Sequence, residues 1–321
     1  MKITLMAFEV IVSSYGRHSV IILKDSTTNT FAEIYNFGAL LNNFTSEHHG
    51  TGINIIDGFA SPAEAEEKVT VFFKSAKLSP FACRVNNSKY NFGQNDYLLS
   101  KFALRGTAIH GLIYNAFFDI TEHSGDETSA SVTLSTVYEN GMEGYPFRYK
   151  TDVTYTLSAG NSLTIKTTVT NIDQQLIPIV DGWHPYFTLG DKIDDYQLEF
   201  QSKEMLEFNE DLIPTGHLIP YEEFGSIKNV GPTELDNCFT LNFAECQPMC
   251  VIRHPEKKVQ IEFHPEESYP YLQIYTPEHR KSIAIENLSG APDAFNNGMG
   301  LKVLQPGELA TFTTKYITRT L

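Results

Sequence analysis

The chain has 321 residues, 41% of them hydrophobic, 20% charged and 12% aromatic, the balance of a folded protein rich in strand-favouring rings rather than a disordered one. Its formal net charge of −15 opposes a phosphate backbone, and no Lys/Arg cluster reverses this locally, so nucleic acid and anionic membrane surfaces are not expected partners. No run approaches the ~18 apolar residues of a membrane-spanning helix, and Cys83, Cys238, Cys246 and Cys250 match no zinc spacing and read as free thiols in a reducing compartment.

At the N-terminus, MKITLMAFEVIV reads as a first strand rather than a leader, because Glu9 interrupts the apolar run and no convincing cleavage site follows. The chain is therefore expected in the cytoplasm, where the sequons at Asn43, Asn86 and Asn287 would carry no glycan. A helix is expected after Ser61, which is placed as N-cap with Pro62 at the first helical position and Glu64 three residues after the cap, leading into AEAEEKVTVFFKSAK. Period-two patterns follow at 131–139, 149–172, 257–265, 271–277 and 309–320. The second of these is a hairpin that turns at SAGN. No linker, repeat or composition break divides residues 1–321. The expected architecture is all-β, one large antiparallel β-sandwich in a single domain with one or two short helices, and a concave sheet face or loop-lined end open to a ligand. Glycine-rich phosphate loops are missing.

Chemistry-bearing side chains stand out at Arg84 in FACRVNNSKYNF, His110 in LRGTAIHGLIYN, His184 in DGWHPYFTLG, Asp236 in ELDNCFTL and Glu286 in SIAIENLSGAPDAFNNG. Taken singly, each also has a structural reading: a surface ion pair for Arg84, a turn for His110 before Gly111, extended backbone before proline for His184, a turn cap for Asp236. Glu286 closes an alternating apolar run where the chain turns away, and a carboxylate partly desolvated at a strand mouth has its pKa raised toward the range of a general base. The aromatic neighbours Trp183, Tyr186 and Phe187 fit either the core or a wall against a ligand.

As a set, these contexts resemble the aldose 1-epimerase (galactose mutarotase) family from about residue 30 to residue 310. The resemblance runs through NFGALLNNF, LSPFACRV, the His110–Gly111 pair, YENGMEGYPFRYKTDVTYTLSAGNSLTIKTTVTN, GWHPYF, LDNCF, PYLQIYTP and APDAFNNGMGLKVLQPGE. It implies a β-supersandwich with a sugar in a shallow cleft. Glu286 is implied as catalytic base, His184 as catalytic acid, His110 as a second active-site histidine, and Arg84 and Asp236 as ligands of sugar hydroxyls. Cys83 stands where the more familiar segment has asparagine, and Leu288 where many members have glutamine; these departures bear on sugar preference more than on chemistry.

The implied reaction opens a pyranose by taking a proton from the anomeric hydroxyl and giving one to the ring oxygen, a task for a carboxylate and an imidazole. No cofactor and no metal are expected, and the partner is a small-molecule sugar bound by a monomer or weak homodimer. Three alternatives stay open at this point. One is a hexose-6-phosphate 1-epimerase using Arg105 or Lys89, another a non-catalytic carbohydrate-binding protein. A glycoside hydrolase drawing on acidic residues at 234, 236, 245 and 286 is the third, and it would need a carboxyl pair at a set separation.

Overall fold

The hairpin expected at 149–172 forms the middle of the largest sheet. A computed structural model describes residues 7–139 and 144–321; positions 140–143 of the YENGMEG stretch and residues 1–6 lie outside them. Strands Tyr149–Ser158 and Ser162–Asn171 pair from Tyr149↔Asn171 to Ser158↔Ser162, with Gly160 and Asn161 in left-handed conformation at the turn. Along the first arm every second residue, from Tyr149 through Val153, Tyr155 and Leu157, is buried, which is the period of a strand with one face on a core.

This sheet has nine strands. Outward from the hairpin it runs through Ser129–Tyr138 to Asp119–Gly125 on one side, and through Leu309–Thr320, Val259–Phe263, Cys250–His254 and Gln197–Phe200 to Lys228–Asn229 on the other. Facing it is an eight-stranded sheet whose centre is Asp236–Thr240, Tyr271–Tyr275, Ile283–Leu288 and Gly182–His184, with Ala76–Leu78 at one edge. Pairing is antiparallel throughout both. The expected β-sandwich with supersandwich topology is the observed fold, extended by a five-stranded N-terminal meander over residues 8–54.

Ring contacts fix which faces meet. Phe187 packs edge-on against Phe263 and Tyr316 at centroid distances of 4.7 and 5.2 Å, Trp183 lies 6.2 Å from Tyr155, and Thr314 Oγ1 donates to Asn287 Oδ1 at 2.8 Å. Trp183, Phe187 and Asn287 therefore point into the sandwich. Their chain neighbours His184, Tyr186 and Glu286 must point to the other face, because successive side chains alternate across a strand.

Two α-helices are present among the described residues. In Pro62–Phe72 the cap is as expected: Ser61 Oγ accepts from Glu64 N at 3.2 Å, and Glu64 Oε2 reaches back to accept from Ala60 N at 2.7 Å. The helix stops earlier than its charge pattern suggests, since Val69, Thr70, Val71 and two phenylalanines are poor helix formers and Phe73 takes the left-handed cap position at φ 54°. A second helix of four residues, Ala294–Asn297, lies in the APDAFNNG segment.

Beneath the eight-stranded sheet lies a fully buried ion pair. Lys77 Nζ donates to Asp181 Oδ2 at 2.6 Å and to Gly182 O at 3.1 Å, and it stands 4.4 Å over the Trp183 ring. Tyr269 Oη donates to the same carboxylate oxygen at 2.7 Å. Burial pushes the Lys77 ammonium down to about 8 and raises the Asp181 carboxyl, each opposed by the charge of the other. Lys77→Met strands Asp181 as a buried charge and is expected to cost about 3–5 kcal/mol in urea unfolding, with Lys77→Met/Asp181→Asn recovering part of it. An unchanged midpoint in the single variant would remove the pair as a structural strut.

Candidate active site

The outward face of the eight-stranded sheet carries a row of polar side chains set by strand register. Cys238 is paired with Gln273 and Gln273 with Glu286, while Asp236 is paired with Tyr275 at the next same-face position. His184 lies beside Glu286, its Nε2 3.3 Å from Glu286 Oε1. Gln273 Nε2 donates to Asp236 Oδ1 at 2.8 Å. The row thus reads Asp236, Gln273, Glu286, His184 across neighbouring strands.

Two left-handed residues bring the other members in. Strand Thr107–Ile109 pairs Ile109 with Arg84, and His110 N donates to Cys83 O at 2.8 Å; Cys83 and His110 have φ of 51° and 63°. Such conformations in non-glycine residues concentrate at functional sites. Gly111 follows at φ 79°, where a Cβ would come within 2.4 Å of Ser79 O, so only glycine lets this loop approach the sheet. The His110 ring then meets His184 edge-on at 4.8 Å, and Tyr186 stacks on the other side of His184 at 5.1 Å. Asp293 holds the arginine strand from behind: its N–H donates to Arg84 O, and its Oδ1 accepts from Asn86 N, each at 2.8 Å.

All five sequence-selected residues line one cleft of about 270 Å³, with Gln273, Tyr275, Tyr186, Cys83, Phe73 and Phe102 among the remaining wall residues. Arg84 is half-buried and makes no ion pair or side-chain hydrogen bond among the described residues, so the surface ion-pair reading does not hold there and its guanidinium fork faces the cleft. Glu286 is not at the mouth of its strand. It sits within Ile283–Leu288 and is 2% exposed, with Oε2 lacking a hydrogen-bond partner. His110 Nδ1, His184 Nδ1 and Gln273 Oε1 are likewise buried and unpartnered. A cluster of unsatisfied buried polar atoms lining one cleft is a site built for a polar ligand.

Burial governs the protonation of these groups. It pushes the Glu286 carboxyl well above the usual carboxylate range, with Asp236 adding to the rise and Arg84 opposing it. It pushes the His184 imidazole down to about 4, partly countered by a backbone hydrogen bond and reinforced by Arg84, and holds His110 well below its ordinary value, helped by His184 and Arg84. Asp236 is raised by burial against the pull of Arg84 and Gln273. Among the described residues no three His, Cys, Asp or Glu side chains are grouped closely enough to hold a metal ion.

The family model described as aldose 1-epimerase matches residues 19–317. The chain belongs to the aldose 1-epimerase family. It is 28% identical over 239 residues to the uncharacterized protein YihR of Escherichia coli (72% of this chain, 74% of that one) and 26% identical over 247 residues to the galactose mutarotase of Sus scrofa (72% and 67%). In fold it is similar to a galactose mutarotase-like protein from Clostridium acetobutylicum, with a TM-score of 0.86 over 98% of this chain and 99% of that one at 17% identity.

Within this aldose 1-epimerase chain, the open question over the rings of GWHPYF divides by parity: Trp183 and Phe187 are core, whereas Tyr186 lines the cleft. Gln273, which lines the cleft, and Asp293, which supports the Arg84 strand, lie within the matching stretches PYLQIYTP and APDAFNNG but are not among the five expected site residues. A buried glutamine inside an otherwise apolar strand was the available signal for the first. Arg105 and Lys89 do not line the cleft, and neither do the acidic residues 234 and 245.

The histidine shift fixes a pH dependence. His184 has a folded pKa near 4 against 6.5 unfolded, so the unfolded chain binds more protons between these values, and this contribution to stability is lost as pH falls from 6.5 to 4. Its size is about 3 kcal/mol or less. Unfolding free energy measured across this interval is expected to fall less for His184→Asn than for the wild type; equal slopes would show that His184 is not held neutral.

Proposed function

We propose that this protein is an aldose 1-epimerase that interconverts the α- and β-anomers of a free hexose such as glucose or galactose by acid/base ring opening. The observation that carries this reading is the Glu286–His184 contact of 3.3 Å, buried in the cleft with Glu286 Oε2 and His184 Nδ1 unpartnered. A lectin-like site needs directional hydrogen bonds to hydroxyls but no acid and base in contact.

Proton accounting supports the chemistry. Glu286 as carboxylate takes the proton of the anomeric hydroxyl while His184 as imidazolium protonates the ring oxygen, and the C1–O5 bond breaks. The pair is then left as carboxylic acid and neutral imidazole, with no change in total charge. This is the distribution that burial favours. Rotation about the C1–C2 bond and reclosure run the transfers in reverse. Of the ionised starting distribution, the Glu286 carboxylate is favoured by Arg84 and by the sugar hydroxyl donating to it, whereas Arg84 opposes the His184 imidazolium, so that its proton is readily given up. Arg84, Asp236 and His110 supply donors and acceptors that hold the remaining hydroxyls while C1 turns.

Free sugar is favoured over hexose 6-phosphate because Arg84 is the only arginine or lysine among the cleft-lining residues. Optical rotation of freshly dissolved α-D-galactose and α-D-glucose tests the proposal. The protein should hasten equilibration, and Glu286→Gln and His184→Asn should each slow kcat by about 10²–10⁴-fold with unchanged circular dichroism. Near-normal turnover by His184→Asn would remove it as the acid, and no acceleration by the wild type would leave a binding protein.

A further inference from the structure

Successive pairwise contacts connect the cleft residues in one line of neighbours. From Asp236 the order is Gln273 at 2.8 Å, Glu286 as its strand partner, His184 at 3.3 Å, His110 at 4.8 Å between rings, Phe73 at 4.6 Å and Phe102 at 5.2 Å. One end is polar and the other apolar. The apolar end comprises Val71, Phe72 and Phe73 from the end of the first helix, Ile109 before the His110 turn, and Phe102 and Leu104. Val71, Phe72 and Leu104 are 62%, 42% and 52% exposed, large apolar side chains left in water at the mouth of a site. Arg84, the register partner of Ile109, is the one arginine or lysine among the cleft-lining residues, and Lys74, two residues beyond Phe72, is paired with Asp57 at 2.7 Å.

The order of atoms in a pyranose maps onto this line. With the anomeric hydroxyl at Glu286 and the ring oxygen at His184, C2 lies toward Gln273 and Asp236. C5 is bonded to the ring oxygen on its far side, and its exocyclic substituent is directed past His184 and His110 to the phenylalanines. Resting on the mutarotase reading, we propose that this apolar wall receives the C5 substituent and selects sugars in which that group is uncharged and apolar, 6-deoxyhexoses foremost. A methyl group there replaces water against the rings, whereas a hydroxymethyl group reaches the wall with a hydroxyl that the phenylalanines cannot pair.

Polarimetry on galactose, 6-deoxy-galactose and galactose 6-phosphate tests this, each rate corrected for its spontaneous mutarotation. The expected kcat/KM for 6-deoxy-galactose is about tenfold above that for galactose, with the phosphate lowest. Leu104→Lys changes an exposed position, so its unfolding midpoint should match the wild type. It is expected to lower the 6-deoxy sugar and raise the phosphate, shifting their ratio by about fivefold or more. Galactose turned over as fast as its 6-deoxy analogue would overturn the inference. So would an equal loss on all three sugars in Leu104→Lys, which would make the wall a platform for the ring itself. Failure of all three sugars and of glucose with the wild type would instead sink the mutarotase reading, and this inference with it.

Discussion

Extended chain presents its side chains alternately to two faces, and the site depends on that constraint more than on any single bond. Trp183, Phe187 and Asn287 are held inward by rings and a hydroxyl of the opposite sheet. Their inward placement leaves His184, Tyr186 and Glu286 no choice but the outer face. A slip of one residue in any of these strands would bury His184 and Glu286 in the core and turn the rings to water, so the hydrophobic core specifies the register of the cleft.

The polar row survives burial because its members tend toward neutrality. Two imidazoles are held uncharged and two carboxyls are raised, while Arg84 supplies the one fixed positive charge. Beneath the same strands the opposite solution is used. Lys77 and Asp181 offset one another's burial by direct contact, and the Asp181 backbone exchanges hydrogen bonds with Ser289, three residues beyond Glu286. This ties the strand carrying His184 to the strand carrying Glu286 from below.

Much of this was legible in the sequence because it is local. The hairpin at 149–172, the Ser61 cap and the late strands follow from period and turn chemistry over a few residues, whereas the five side chains that share one cleft are grouped in the sequence only by the family resemblance. What escaped is non-local. Gln273 gains its meaning from lying between Cys238 and Glu286 in register, Asp293 from reaching back to Arg84 and Asn86, and Lys77 from meeting Asp181 across the sheet. Phe73 looked like helix and is instead the cap residue that faces His110. The position of Glu286 was misjudged for the same reason: the turn at NLSG is visible, but the strand partners that carry pairing on to Leu288 are not.

The four thiols acquire an unplanned use from this architecture. Cys83, Cys238 and Cys250 are buried, and the first two lie close enough to Glu286 for its charge to raise them further beyond burial, whereas Cys246 is exposed. Thiolate, not thiol, reacts with alkylating agents. The folded protein is thus chemically quiet around its own site, with one thiol open to reagents at the surface. Modification at Cys83 or Cys238 would register a local opening around the cleft, so labelling rates at these two positions form an intrinsic gauge of how often the sheet beneath it breathes.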